Sequence, residues 1–205
     1  MELFHTKELI FADTIQYPDI QIQAGKVTFI CGASGSGKSS LLHLLNASIS
    51  PSKGEIAYQG QDINTLDPIA LRREVLLVAQ AVYLFDGSIR DNFHRYYHYR
   101  DITPPTDDTI MHYLSLAALD LPLDSVCTVL SGGERQRIFL AIHLSLCPKV
   151  LMLDEPTSAL DEESARRLME HFVTHCKEHT LSLIIVSHDK ALAKQYADNI
   201  ITLGA

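Results

Sequence analysis

The chain has 205 residues, 46% hydrophobic and 20% charged, which suits one globular domain with a core that needs neither disulfide nor metal. Its formal net charge of −8 weighs against a nucleic-acid partner, because phosphate backbones demand clustered Lys and Arg. Cys31, Cys127, Cys147 and Cys176 have neither metal-ligand spacing nor a disulfide framework, as in a reducing compartment, and no apolar run approaches the roughly 20 residues of a membrane helix or forms a leader's apolar core.

Residues 27–31 (VTFIC) form a short apolar run rich in β-formers and predict a buried strand. A glycine-rich turn follows. Leucines 41, 42, 44 and 45 then predict a helix over 39–49. Strand, glycine loop and helix make the P-loop unit. From about residue 84 to 147 the pattern changes to Pro104-Pro105, several aspartates and mainly helical periodicity. This predicts a helical subdomain inserted into one domain that runs over 1–205. Strands are predicted at Val150–Asp154, 183–187 and Asn199–Leu203, with helices at Glu162–Glu178 and 190–197 between them. Such alternation predicts an α/β fold with a mostly parallel sheet covered on both faces.

Gly32-Ala33-Ser34-Gly35-Ser36-Gly37-Lys38-Ser39 is a full match to GxxxxGK[ST]. The glycines let the backbone curl so that its N–H groups face a phosphate, and the following helix adds its positive dipole end. Lys38 is expected to reach the β- and γ-phosphates of a bound nucleotide, and the Ser39 hydroxyl, with Ser40 beside it, to meet Mg²⁺. Asp154 and Glu155 close an apolar strand, and ligands bind at the carboxyl ends of parallel strands. Asp154 there suits a Mg²⁺ partner, and Glu155 suits a group that orients or deprotonates an attacking water. Leu130-Ser131-Gly132-Gly133-Glu134 reads in two ways. Ser131 and Glu134 make a capping box that opens a helix over 135–146. The paired glycines also expose N–H groups at a helix start, an anion site. One chain needs no second triphosphate site, so that site is expected to serve the nucleotide of a partner chain.

LSGGERQR at 130–137, set between the P-loop and LDEPTSALD at 153–161, resembles the signature of ABC ATPases, and the resemblance covers essentially the whole chain. It implies a P-loop NTPase (RecA-like) core, a small N-terminal antiparallel β region and the inserted helical subdomain. It also implies that Gln80 senses Mg²⁺ and water and faces a membrane partner. Asp161 would link two sites across a dimer, and His188 would contact the γ-phosphate. Phe11, with Tyr17 as the other candidate, would stack on adenine. Two copies would pair as a homodimer on ATP binding, with Ser131, Gly132, Gly133 and Asp161 of one copy closing over ATP on the other. A transmembrane permease subunit would be the driven partner and would hold the chain peripherally on the cytoplasmic face of the membrane. The chain is similar to short ATPase subunits of two-component bacterial transporters, some linked to metal or iron export. The alternative is a soluble ABC ATPase acting on DNA or ribosomes. The stretch 84–92 (LFDGSIRDN) resembles the family segment that contacts transmembrane partners, so the basic-aromatic run 94–100 (HRYYHYR) after it is read as a partner surface in preference to a metal site at His94 and His98, a nucleic-acid stacking surface or a plain polar helix.

Overall fold

A computed structural model describes residues 1–204. In chain order its elements begin with β1 (Glu2–Phe11), β2 (Ile15–Gln16), β3 (Ile20–Gln23), β4 (Val27–Gly32), α1 (Lys38–Leu45), β5 (Lys53–Tyr58), β6 (Gln61–Asp62), α2 (Pro68–Glu74) and β7 (Val75–Val78). There follow α3 (Ile89–His98), α4 (Asp107–Leu116), α5 (Gly132–Ser145), β8 (Val150–Asp154), α6 (Glu162–Glu178), β9 (Ser182–Val186), α7 (Lys190–Tyr196) and β10 (Asn199–Leu203). The backbone divides into two compact units. One holds Met1–Val78, Pro148–Glu155 and the chain from Cys176 onward; the other holds Ala79–Cys147 and Pro156–His175.

The first unit carries both sheets. Five parallel strands run in the order β10-β4-β9-β8-β7. Every residue of β8 and β9 is buried, which is why these strands read as unbroken apolar runs and not as alternating ones. The second sheet is antiparallel, β2-β1-β5-β6, with β3 also paired to β1. The expected α/β core and small N-terminal antiparallel region are therefore both present. Leu41, Leu42, Leu44 and Leu45 of α1 pack with Ile30, Met152 and Ile184 of the parallel sheet and with Phe4, Leu9, Ile22 and Ile56 of the antiparallel one. Each such side chain contributes roughly 1.5–3 kcal/mol by leaving water.

Helix α1 is shorter than the leucine pattern predicts. It ends in a Schellman turn: Ala47 is left-handed at φ 52, its N–H donates to Leu44 O at 3.1 Å, and Ser48 N–H donates to His43 O at 2.9 Å. Such turns are normally marked by glycine. An alanine at that position leaves no sequence signal.

The second unit is helical, and its helix starts are capped by side chains. Ser88 and Asp91 form a capping box on α3, Thr106 caps α4, and Ser131 with Glu134 forms a capping box on α5. α5 packs on α3 and α4. Tyr97, buried on α3, donates its phenol to Ser145 O at 2.6 Å. Asn92 is wholly buried, and its amide donates to Phe85 O and Ser88 O while accepting from Phe85 N–H. Arg90 ties the unit's surface together through Asp107 and Asp124.

Candidate functional site

In the first unit, β4 runs buried from Val27 to Cys31 and ends at Gly32, after which the chain curls into α1. Two glycines permit that curl. A Cβ on Gly32 (φ 156) would lie 2.5 Å from Leu203 O and 2.8 Å from Ser36 Oγ. On Gly37 (φ 87) it would lie 2.7 Å from Tyr17 Oη and 2.8 Å from Ile15 Cγ2. No side chain fits at either place. Gly37 caps α1 without a side-chain hydrogen bond, so the first-turn N–H groups stay available for an anion at the positive end of the helix.

Lys38 is only 6% exposed. Its ammonium donates to Gly32 O at 3.1 Å and to Ala33 O at 2.9 Å, which centres the positive charge on the loop. Ala33, Ser34, Gly35 and Ser39 are exposed, and Ser36 and Ser40 are half-buried. Ser36 Oγ is buried and has no hydrogen-bond partner among the described residues.

Asp154 is the last residue of β8 and is 9% exposed; its Oδ1 is buried and has no hydrogen-bond partner among the described residues. Glu155 follows in a left-handed conformation (φ 50), a backbone state that non-glycine residues adopt uncommonly. Its N–H bonds Val186 O at 3.0 Å, so the turn is fastened to the end of β9. The Glu155 Oε1 atom lies 3.0 Å from His188 Nε2, and Oε2 accepts from the His188 N–H at 3.4 Å. Burial pushes the Glu155 carboxyl above its ordinary pKa, while His188 and Lys38 pull it back. His188 lies in the exposed turn between β9 and α7. Asp189 caps α7 by accepting from Ala191 and Leu192 N–H groups at 2.8 and 3.0 Å, which fixes where that turn ends.

The two candidate aromatics separate clearly. Tyr17 is 3% exposed and its phenol is tied to Gly37 O at 2.9 Å, so no ring face is offered to a base. Phe11 is half-buried at the end of β1 and pairs across the hairpin with Ile15. Ile15 is the residue whose methyl approaches Gly37, so Phe11 stands on the hairpin that flanks the loop.

The second unit holds Gln80, Ser131, Gly132, Gly133 and Asp161. Gln80 is exposed beyond β7. Ser131 N–H and Oγ both donate to Glu134 Oε2, at 2.9 and 2.7 Å. A Cβ on Gly132 would meet nothing within 4 Å, whereas one on Gly133 would lie 3.0 Å from Leu160 Cδ2 and 3.1 Å from Ala159 O. Gly133 thus has a packing reason to be glycine, whereas no contact with the described residues accounts for Gly132. Asp161 caps α6 through the Ser164 N–H at 2.9 Å and hydroxyl at 2.7 Å, which holds its carboxyl below the usual range. The clamp of Gln136, whose Oε1 accepts from Ala159 N–H at 3.3 Å, escaped the sequence reading, as did the tie from Tyr17 to Gly37. Both join residues far apart in sequence and carry no local pattern. His94 and His98 lie on α3, and among the described residues no group of three or more His, Cys, Asp or Glu could hold a metal ion.

A parallel sheet with a glycine loop feeding α1, and with an acidic pair and a histidine on the neighbouring strand ends, defines a P-loop nucleoside-triphosphatase core. The family model described as ABC transporter matches residues 15–158, and the chain belongs to that family as one of its ATPase cassettes. The chain is 37% identical over 186 residues to the probable iron export ATP-binding protein FetA of Escherichia coli, covering 90% of this chain and 82% of that protein. It is 40% identical over 188 residues to Protein STAR1 of Oryza sativa, covering 91% of this chain but 54% of that protein. Among solved structures, cbiO1 from Clostridium perfringens, part of the ABC transporter complex cbiONQ, superposes with a TM-score of 0.84 at 27% identity, over 98% of this chain and 84% of that one. A bacterial Atm1-family ABC exporter with ATP bound gives 0.86 at 26% identity, over 98% of this chain and 37% of that one.

Proposed function

We propose that this chain binds ATP, hydrolyses it and, as a dimer formed on ATP binding, drives a separate transmembrane subunit. The observation that carries the reading is the meeting of Lys38, Asp154, Glu155 and His188 at the carboxyl end of one parallel sheet. In the loop, the N–H groups and the Lys38 ammonium bind the phosphates, while Phe11 flanks the base. Glu155 orients the attacking water and accepts its proton. His188 holds the Glu155 carboxylate 3.0 Å away and reaches toward the γ-phosphate. Hydrolysis is then phosphoryl transfer to water, driven by positioning and charge stabilisation.

The residues present suit Mg²⁺. Asp154 is nine-tenths buried and carries a carboxylate oxygen with no hydrogen-bond partner among the described residues, and the Ser39 hydroxyl opens α1 at an exposed position. Both are hard oxygen donors of the kind this ion prefers. When bound, the ion would neutralise phosphate charge as the γ-phosphoryl group leaves.

Ser131, Gly132 and Gly133 of a second copy, with its Asp161, close over the nucleotide. The open space at Gly132 supports this, because no contact among the described residues accounts for that glycine. No helix among the described residues is long and apolar enough to cross a membrane. A permease would hold the chain on the cytoplasmic face, with Gln80 toward that partner. Similarity to FetA makes metal export the transport class to test first.

The test uses Glu155→Gln with Mg-ATP. The variant is expected to bind ATP without turnover, to run as a dimer on size exclusion, and to capture a polytopic membrane protein from native membranes. Normal turnover would remove Glu155 from its role. A monomer that captures only soluble protein would overturn the transporter reading.

A further inference from the structure

We infer that Tyr17 is a positioning residue for the phosphate loop: its phenol holds the peptide between Gly37 and Lys38 so that the Lys38 N–H faces the nucleotide. The inference rests on the nucleotide reading given above and adds to it a residue outside the loop.

Tyr17 lies between β2 and β3. Its own N–H donates to Leu9 O at 2.9 Å, which pins its backbone to β1. The side chain is 3% exposed and belongs to the core between the sheets. Its ring is thus fixed by packing, and the phenol donates to Gly37 O at 2.9 Å. Burial pushes that phenol up to about 12, with a hydrogen bond from Ser40 acting the other way. It therefore remains a donor throughout the working pH range.

A trans peptide is planar, so its C=O and N–H point in opposite directions. Gly37 O faces inward, where it accepts from Tyr17 and also takes the first helical bond from Leu41 N–H at 2.8 Å. The N–H of Lys38, on the same peptide, must then face outward. A carbonyl held by two donors also polarises its peptide and strengthens the N–H as a donor. An ordinary N-cap would have bonded the helix N–H groups with its own side chain. Here the cap is a left-handed glycine without one. Those N–H groups stay open, and the orientation comes from a tyrosine 20 residues earlier in the chain. The arrangement is mutual, since a Cβ on Gly37 would come within 2.7 Å of the same phenol oxygen.

The test is Tyr17→Phe, which keeps the ring and removes only the hydroxyl. Gly37 O retains its bond from Leu41, so the variant should stay folded, with a drop in melting temperature no larger than one neutral hydrogen bond accounts for. Dissociation constants for a fluorescent ATP analogue and for ADP should rise about fivefold, the worth of one neutral hydrogen bond. KM for Mg-ATP should rise with them while kcat stays within about twofold, because the lost orientation acts on binding. Unchanged affinity and KM would overturn the inference. So would equal affinity losses in Tyr17→Phe and Tyr17→Leu that track a matching loss of stability, since packing alone would then explain both. Lys38→Ala in the same assay separates the two readings. If it abolishes binding while Tyr17→Phe binds normally, only the Tyr17 inference falls; if it binds normally, the nucleotide reading itself falls.

Discussion

His143 gives the second unit an acid-sensitive point whose size follows from the structure. It sits on α5, 7% exposed, with Nδ1 bonded to Phe139 O at 2.7 Å and its ring against Phe139 and Tyr96. Burial pushes its pKa from 6.5 to about 4; the Phe139 carbonyl favours the charged form and the Arg100 charge opposes it. A histidine with a depressed folded pKa takes up its proton in the unfolded chain first. Stability is therefore full above pH 6.5 and is lost as pH falls from 6.5 toward 4. From those two values, lowering the pH from about 7.5 to about 5 removes roughly 2 kcal/mol through this one group. The assay is urea unfolding at both pH values, for the wild type and for His143→Leu, which cannot titrate. Other groups contribute equally to both proteins, so the difference between their acid losses isolates His143. The wild type should lose roughly 2 kcal/mol more than the variant. Equal losses would refute the reasoning and place the protonated ring in contact with water.

Three further outcomes are expected. Gly37→Ala should destabilise the fold by about 2–4 kcal/mol in urea, combining a left-handed alanine with a clash against Tyr17 and Ile15, whereas Gly35→Ala, with open space around its Cα, should cost only about 1–2 kcal/mol. Gly132→Ala should leave thermal stability unchanged or raise it by up to about 1 kcal/mol, as helical alanine does, yet reduce the ATP-dependent dimer on size exclusion; Gly133→Ala should instead be strained against Leu160 and Ala159. Tyr97→Phe removes the 2.6 Å bond to Ser145 O and should lower unfolding free energy by about 1–2 kcal/mol, with nucleotide affinity unaffected.

Three of the parallel strands were legible because they are buried and read as short apolar runs: 27–31 against the observed Val27–Gly32, Val150–Asp154 as observed, and 183–187 against Ser182–Val186. The end of α1 was not legible, since Ala47 adopts a conformation that sequence assigns to glycine. The start of α5 also falls earlier than the predicted 135, because Gly132 and Gly133 are helical behind the Ser131 cap. Among the candidate aromatics, sequence favoured Phe11 with Tyr17 as the alternative; the structure buries Tyr17 and ties its phenol to Gly37 O, and leaves Phe11 half-buried.

Sequence by itself determined the class: an ordered set of short motifs, each readable because its chemistry needs adjacent residues. Glycines that curl a loop around a phosphate must be neighbours, and so must an acidic pair at a strand end. Tertiary structure decided what depends on residues brought together from afar: the strand order β10-β4-β9-β8-β7, the pairing of Glu155 with His188 and the tie from Tyr17 to Gly37. A hydrogen bond between distant residues leaves no periodicity in the chain, because it is made by the packing of the elements that carry them.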